Sequence, residues 1–199
     1  MTQAKLRFAS FEEYLVWSDD PENYIEGRYE LIDGELVELM PEAEPNLAIA
    51  KFIFFMLVTA GVPIRLVLLK GCEVQGPVLQ PSDAANCYPD LLVVRAEHIP
   101  LMTKRATITL DMPPPCMAVE VVSPGKRNRD RDYNNKLAQY EAIGIDAYWI
   151  IDRQAQVVVV FEPEQSGYKQ VGEFKNGDII PCSILPALAL TAEQIFNAG

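Results

Sequence analysis

Cys116-Met-Ala-Val-Glu-Val-Val122 sets six apolar residues around a single acid. A run this short and this apolar predicts a strand inside a core sheet. Side chains alternate along a strand, so Ala118, Glu120 and Val122 share one face. An ionised carboxylate on that face is costly unless it is paired or binds a cation. The residue alone leaves two readings open: a functional acid, or a structural one held in a buried salt bridge or reaching water at the strand end.

Upstream, Pro89-Asp-Leu-Leu-Val-Val94 repeats the pattern and opens on Asp90. A loop acid capping the strand is the other reading of Asp90. If the two strands are neighbours the carboxylates converge, and converging carboxylates suit Mg²⁺ or Mn²⁺, because hard cations take oxygen ligands. Downstream, a helix is expected from about Asp130 to Ile143, stopped at Gly144. Tyr133, Leu137 and Tyr140 form its apolar stripe. Lys136 lies at the edge of that stripe. Its ammonium group either reaches inward to the acids, snorkels at the surface, or pairs with Asp132 four residues before it. Between strand and helix, Ser123-Pro-Gly-Lys-Arg-Asn-Arg-Asp-Arg131 is the one strongly basic stretch. Lys126, Arg127, Arg129 and Arg131 read as a flexible loop that grips phosphates, or as a solvated loop.

Working outward, Ala147–Asp152 and Gln156–Phe161 predict two strands joined by a tight turn, with a short strand near Tyr168 and a short helix after Thr191. On the N-terminal side, Ile64–Val74 and Arg105–Leu110 predict strands. Pro45–Ala60 predicts an apolar helix buried on most sides, stopped by Gly61 and Pro63. Asp33-Gly34 between alternating runs predicts a β-hairpin over Arg28–Met40, where Glu30 is a candidate acid. Ser10 caps a short helix reaching Trp17. The pattern is α/β: a mixed central sheet flanked by helices, with an N-terminal β-hairpin, forming one domain over residues 1–199.

Nearly half of the 199 residues are apolar, enough for a full core without disulfide or metal staples. No apolar run is long enough to span a bilayer, and Met1–Arg7 has no apolar segment of a secretory leader. Cys72, Cys87, Cys116 and Cys182 show no metal-knuckle or redox spacing and read as reduced thiols of a cytoplasmic protein. A net charge of −11 counts against a non-specific DNA coater, though not against an enzyme with a local basic patch. His98 is the only histidine, which excludes His-rich metal sites and leaves chemistry to carboxylates, lysine and a hard metal. His98 itself reads as a loop residue in local packing, and Tyr148 and Trp149 as core.

Taken in order, Tyr29-Glu-Leu-Ile-Asp-Gly-Glu-Leu36, Tyr88-Pro-Asp-Leu-Leu-Val93, Val119-Glu-Val-Val-Ser-Pro124, Asn128-Arg-Asp-Arg-Asp132 with Lys136 and Tyr140, and Gly144 with Tyr148-Trp-Ile-Ile-Asp152 form a set. That set resembles, over nearly the whole length, the Uma-two family of the PD-(D/E)xK nuclease superfamily. The resemblance implies a restriction endonuclease-like fold and hydrolysis of nucleic acid, DNA foremost. It implies that Asp90 and Glu120 bind Mg²⁺ or Mn²⁺, with the backbone carbonyl of Val121 assisting. The superfamily's lysine, two residues after the second acid, is Val122 here. The chain is similar to members whose lysine lies on the following helix, which points to Lys136. Glu30 matches the family's early acid, and Asn46 stands where the family often has a histidine. A homo-oligomer is expected, since nucleases that cut both strands pair up. The competing readings are a nuclease fold that no longer cuts and serves binding or assembly, an oligomerising structural domain joined through the apolar strands of residues 148–161, and a phosphatase of small substrates.

Overall fold

The computed structural model describes residues 6–199; the first residues of the segment inspected for a leader lie outside that range. Helix α1 (Phe11–Ser18) starts where Ser10 accepts a hydrogen bond from the Glu13 N–H at 3.2 Å, while the Glu13 carboxylate accepts from the Ala9 N–H at 2.6 Å. This reciprocal pair satisfies the Glu13 N–H, which the first helical turn leaves open, and the Ala9 N–H just before the cap. Strands β1 (Tyr29–Ile32) and β2 (Glu35–Glu38) form the expected hairpin. Asp33 and Gly34 both take positive φ, 49° and 76°, the geometry of a type I′ turn. Helix α2 (Glu44–Thr59) buries Asn46, Ile49, Ala50, Ile53 and Leu57. Lys51, Phe55 and Thr59 stay exposed, so the helix covers the sheet with one face and is not enclosed on most sides.

The stretch Ile64–Val74 is not one strand. It holds a single 3₁₀ turn, then β3 (Val67–Leu69), then a corner at Lys70 with φ 45°, then β4 (Glu73–Gln75) in a different sheet. The apolar pattern runs through the corner because both halves are buried. Strands β5 (Asn86–Cys87), β6 (Leu91–Val93), β7 (Thr107–Ile108) and β8 (Met117–Val121) follow. The next helical segment begins at Lys126, earlier than expected. It is α3 (Lys126–Asp130), a π-helical turn over Arg131–Asn135, and α4 (Lys136–Ile143). The basic stretch is therefore helical, not a loop. Gly144 ends it at φ 83°. Strands β9 (Tyr148–Asp152), β10 (Val157–Glu164) and β11 (Gly167–Phe174) come next, the last longer than the short strand expected near Tyr168, and α5 (Ala192–Phe196) closes the chain.

The central sheet is mixed, in the order β11-β10-β9-β8-β6-β3, and a small sheet, β5-β4-β7, stands beside it. Only β8 and β9 pair in parallel within the larger sheet. A parallel neighbour requires a crossover, and the helical segment 126–143 is that crossover. The large sheet divides two cores. Ile49, Ile53, Leu57, Val119, Val121 and Trp149 lie in one; Leu92, Ala118, Val122, Tyr140, Tyr148 and Ile150 lie in the other. A third cluster, Phe8, Phe11, Tyr14 and Leu31, holds the N-terminal helix to the hairpin. Strands β9 and β10, whose apolar sequence suggested an oligomer surface, sit inside the sheet with partners on both sides and leave no free edge there. No helix among the described residues is long and apolar enough to cross a membrane.

Candidate active site

Strands β6 and β8 are antiparallel neighbours, and their register runs from Val93↔Met117 to Leu91↔Val119. One step further sets Asp90 opposite Glu120, on the face shared with Ala118 and Val122. Both acids are buried, at 4% and 3% exposure. They border a cleft of about 990 Å³ that also takes in Glu30, Glu42, Lys70 and Lys136.

Glu120 Oε1 accepts hydrogen bonds from Lys136 Nζ at 2.7 Å and from the Tyr140 hydroxyl at 2.6 Å. Its Oε2 has no partner among the described residues. Asp90 Oδ2 accepts from the Val121 N–H at 2.6 Å, and its Oδ1 meets the ammonium of Lys70. Lys70 also pairs with Glu42 at 2.5 Å. Burial, then the charge of Glu120, pushes Asp90 up to about 6, although Lys70 acts the other way. Burial works against the charge of Lys136, but Glu120 and Asp132 outweigh it and its pKa is raised. Asp132, four residues before Lys136 and 4.0 Å from its Nζ, is held above the usual carboxylate range by burial and by Glu120. Lys136 therefore takes the inward course, at 4% exposure, and is not a snorkelling surface lysine.

The π-helical turn makes this possible. It widens one turn of the crossover so that Asp132, Lys136, Gln139 and Tyr140 are all buried. Such widened turns recur at functional sites because they re-aim side chains within a continuous helix.

Glu30 also lies in the cleft, at 7% exposure, its carboxylate with no hydrogen bond or ion pair among the described residues. The basic residues divide. Lys126 and Arg127 stand exposed at the cleft mouth, Lys126 paired with Asp130. Arg131 lines the cleft with its Nε 3.1 Å from Asp132. Arg129 turns away: it pairs with Asp152 and stacks on Tyr133, 4.3 Å from the ring centre. It is committed to the fold and does not border the cleft.

Two residues escaped the sequence reading, and a third, Asn46, had no role in it. Lys70 ends the apolar run Val67-Leu-Leu69 and is followed by Gly71, a local signal that the chain turns there. Glu42 gives no signal beyond its place before α2. Asn46, the position without an assigned role, is fully buried. Its amide donates to Glu42 at 2.6 Å, to the Val121 carbonyl at 3.2 Å and to Ser123 at 3.2 Å, and its carbonyl accepts from Arg153. His98 is buried as well; Nδ1 accepts from the Arg95 N–H and Nε2 faces the Pro113 carbonyl, a local packing role.

Among the described residues, no group of three or more His, Cys, Asp or Glu side chains is placed to hold a metal alone. The donors that are present still fit a hard divalent cation. Asp90, Glu120 Oε2 and the Val121 carbonyl are all oxygen, and Mg²⁺ characteristically uses one or two carboxylates while keeping several waters.

A mixed sheet flanked by helices, with an N-terminal hairpin, places the fold in the restriction endonuclease-like class. Residues 11–193 match the family described as "Uma2: Putative restriction endonuclease", and the chain belongs to it. A solved structure, "a putative nuclease belonging to DUF820" from Anabaena variabilis ATCC 29413, shares the fold with a TM-score of 0.66 at 18% identity, covering 98% of each chain. No curated protein matches.

Proposed function

We propose that this chain is a divalent-metal-dependent endonuclease that hydrolyses phosphodiester bonds, with DNA as its substrate. One observation carries the reading: Asp90 and Glu120 stand side by side on neighbouring strands at a cleft, with Lys136 bonded to Glu120. Asp90, Glu120 and the Val121 carbonyl would hold Mg²⁺ or Mn²⁺. The ion, when bound, would supply an acidified water and polarise the scissile phosphate. Lys136, kept protonated, sets a fixed positive charge where negative charge builds up on the phosphate oxygens. Tyr140 fixes the orientation of Glu120, and the Val121 N–H that of Asp90. Glu30, without a partner, accepts a hydrogen bond from water entering the cleft. Arg127, Lys126 and Arg131 meet the backbone phosphates at the mouth.

A second reading, a fold that binds but does not cut, draws on the same ion pairs. Lys70 and Lys136 already partly neutralise both acids. Mn²⁺ titration by calorimetry, with a plasmid-nicking assay, separates the two. The wild type should bind the ion saturably and nick. Glu120→Gln should lose ion binding and at least about a hundredfold of the nicking rate, the scale of one removed electrostatic contact. Nicking that persists in Glu120→Gln would take Glu120 out of the reaction, and a wild type that neither binds the ion nor nicks would give the case to the non-cutting reading.

A further inference from the structure

A second cleft, of about 500 Å³, opens beside the first and has no part in the scheme above. Four tyrosines border it: Tyr14, Tyr24, Tyr29 and Tyr88. Tyr88 borders both clefts and is two residues from Asp90, so the two spaces share that residue. Tyr24 is 78% exposed, an aromatic side chain left in water with nothing packed over it. Gly27 keeps the neighbouring ring clear, since a Cβ there would press on Tyr29 at 3.3 Å.

The cations around this path differ from those deeper in the fold. Arg105, in the second cleft, is spoken for by Glu73 at 2.8 Å. Lys104 in the second cleft, Arg28 at the junction and Arg127 at the first mouth have no carboxylate partner among the described residues. The Arg28 guanidinium lies over the Tyr88 ring, 5.8 Å from its centre. Cations without a paired acid are the ones a phosphate can recruit, and aromatic faces beside them are what unpaired bases stack on.

From this we infer that the tyrosine cleft is a binding subsite for an unpaired nucleotide, so that the substrate is a duplex carrying single-stranded character next to the scissile phosphate. Its base stacks on Tyr24 beside Tyr29, and Lys104 and Arg28 carry the phosphates back toward Asp90. The inference rests on the endonuclease reading and names the substrate class for that site.

Fluorescence anisotropy in EDTA tests it without cleavage, using three labelled DNAs of equal length: a blunt duplex, a duplex with a single-stranded tail, and one with an internal bulge. The wild type should bind the tailed or the bulged DNA at least about tenfold more tightly than the blunt one. The tail and bulge arms show whether a strand end or an extruded base enters. Tyr24→Ala and Lys104→Ala, both at exposed positions, should each erase most of that preference, and Tyr24→Phe should keep it. Equal affinity for all three DNAs, or a preference untouched by Tyr24→Ala, would overturn the subsite. A preference for unpaired DNA in a protein that never nicks would sink the endonuclease reading and leave the subsite standing. Nicking with no such preference would do the reverse.

Discussion

Asp90 carries a charge that the fold resists. Burial and Glu120 lift it from 3.8 to about 6, so the folded protein holds a proton there that the unfolded chain has already released. A carboxyl group raised in this way loses stability as pH climbs from about 4 to about 6. Thermal unfolding in EDTA should therefore show Asp90→Asn gaining on the wild type between pH 5 and pH 7.5, and a gap that narrows with pH would refute the assignment. Ion binding should follow the opposite course and strengthen over the same range, because the ion takes the carboxylate. Glu120, Asp90 and Lys136 were legible in the sequence because an acid within an apolar strand and a lysine at the edge of an apolar helical stripe both break a local pattern. Lys70, Glu42 and Asn46 were not. Each acts through a partner far along the chain, as in Asn46 to Val121, and no local pattern records that.

At the scale of elements, the crossover 126–143 decides where the lysine stands. The strand that carries Glu120 has the apolar Val122 two residues on, and past the widened turn the helix brings Lys136 to Glu120. Its periodicity was readable from Tyr133 to Tyr140. The turn itself was not, because a single inserted position leaves both flanking stripes apolar. Strand pairing was equally hidden: Ile64–Val74 reads as one strand since both pieces are buried, and only the left-handed corner at Lys70 separates them. The far end of the crossover offers a clean test. Gly144 takes φ 83°, and a Cβ there would come no nearer than 4.0 Å to Pro114. Space is free, so Gly144→Ala pays only the left-handed backbone penalty, about 1–2 kcal/mol. Urea unfolding should show that loss at unchanged nicking. A neutral substitution would mean that the backbone relaxes out of the left-handed region.

Across the whole molecule, a net charge of −11 faces a polyanion, so binding must depend on a few local cations. With Arg28, Lys104, Lys126, Arg127 and Arg131 as the phosphate contacts, log affinity for DNA should fall against log salt with a slope of roughly −4 to −5. A slope near zero would remove the phosphate track, and one far steeper would require cations drawn from elsewhere. Fold class and the N-terminal hairpin were visible from composition and turn chemistry, whereas the position of the apolar strands 148–161 inside the sheet depends on tertiary pairing. The central sheet also has a consequence for how such a chain can change. Asp90, Glu120 and Tyr140 stand on one side of it, while α2 and Trp149 pack the other. Mutational drift and thermostabilising repacking can proceed behind that partition, among Ile49, Ile53 and Leu57, without disturbing the reactive groups. Descendants of one ancestor can then diverge widely in sequence and still present the same chemistry at the front.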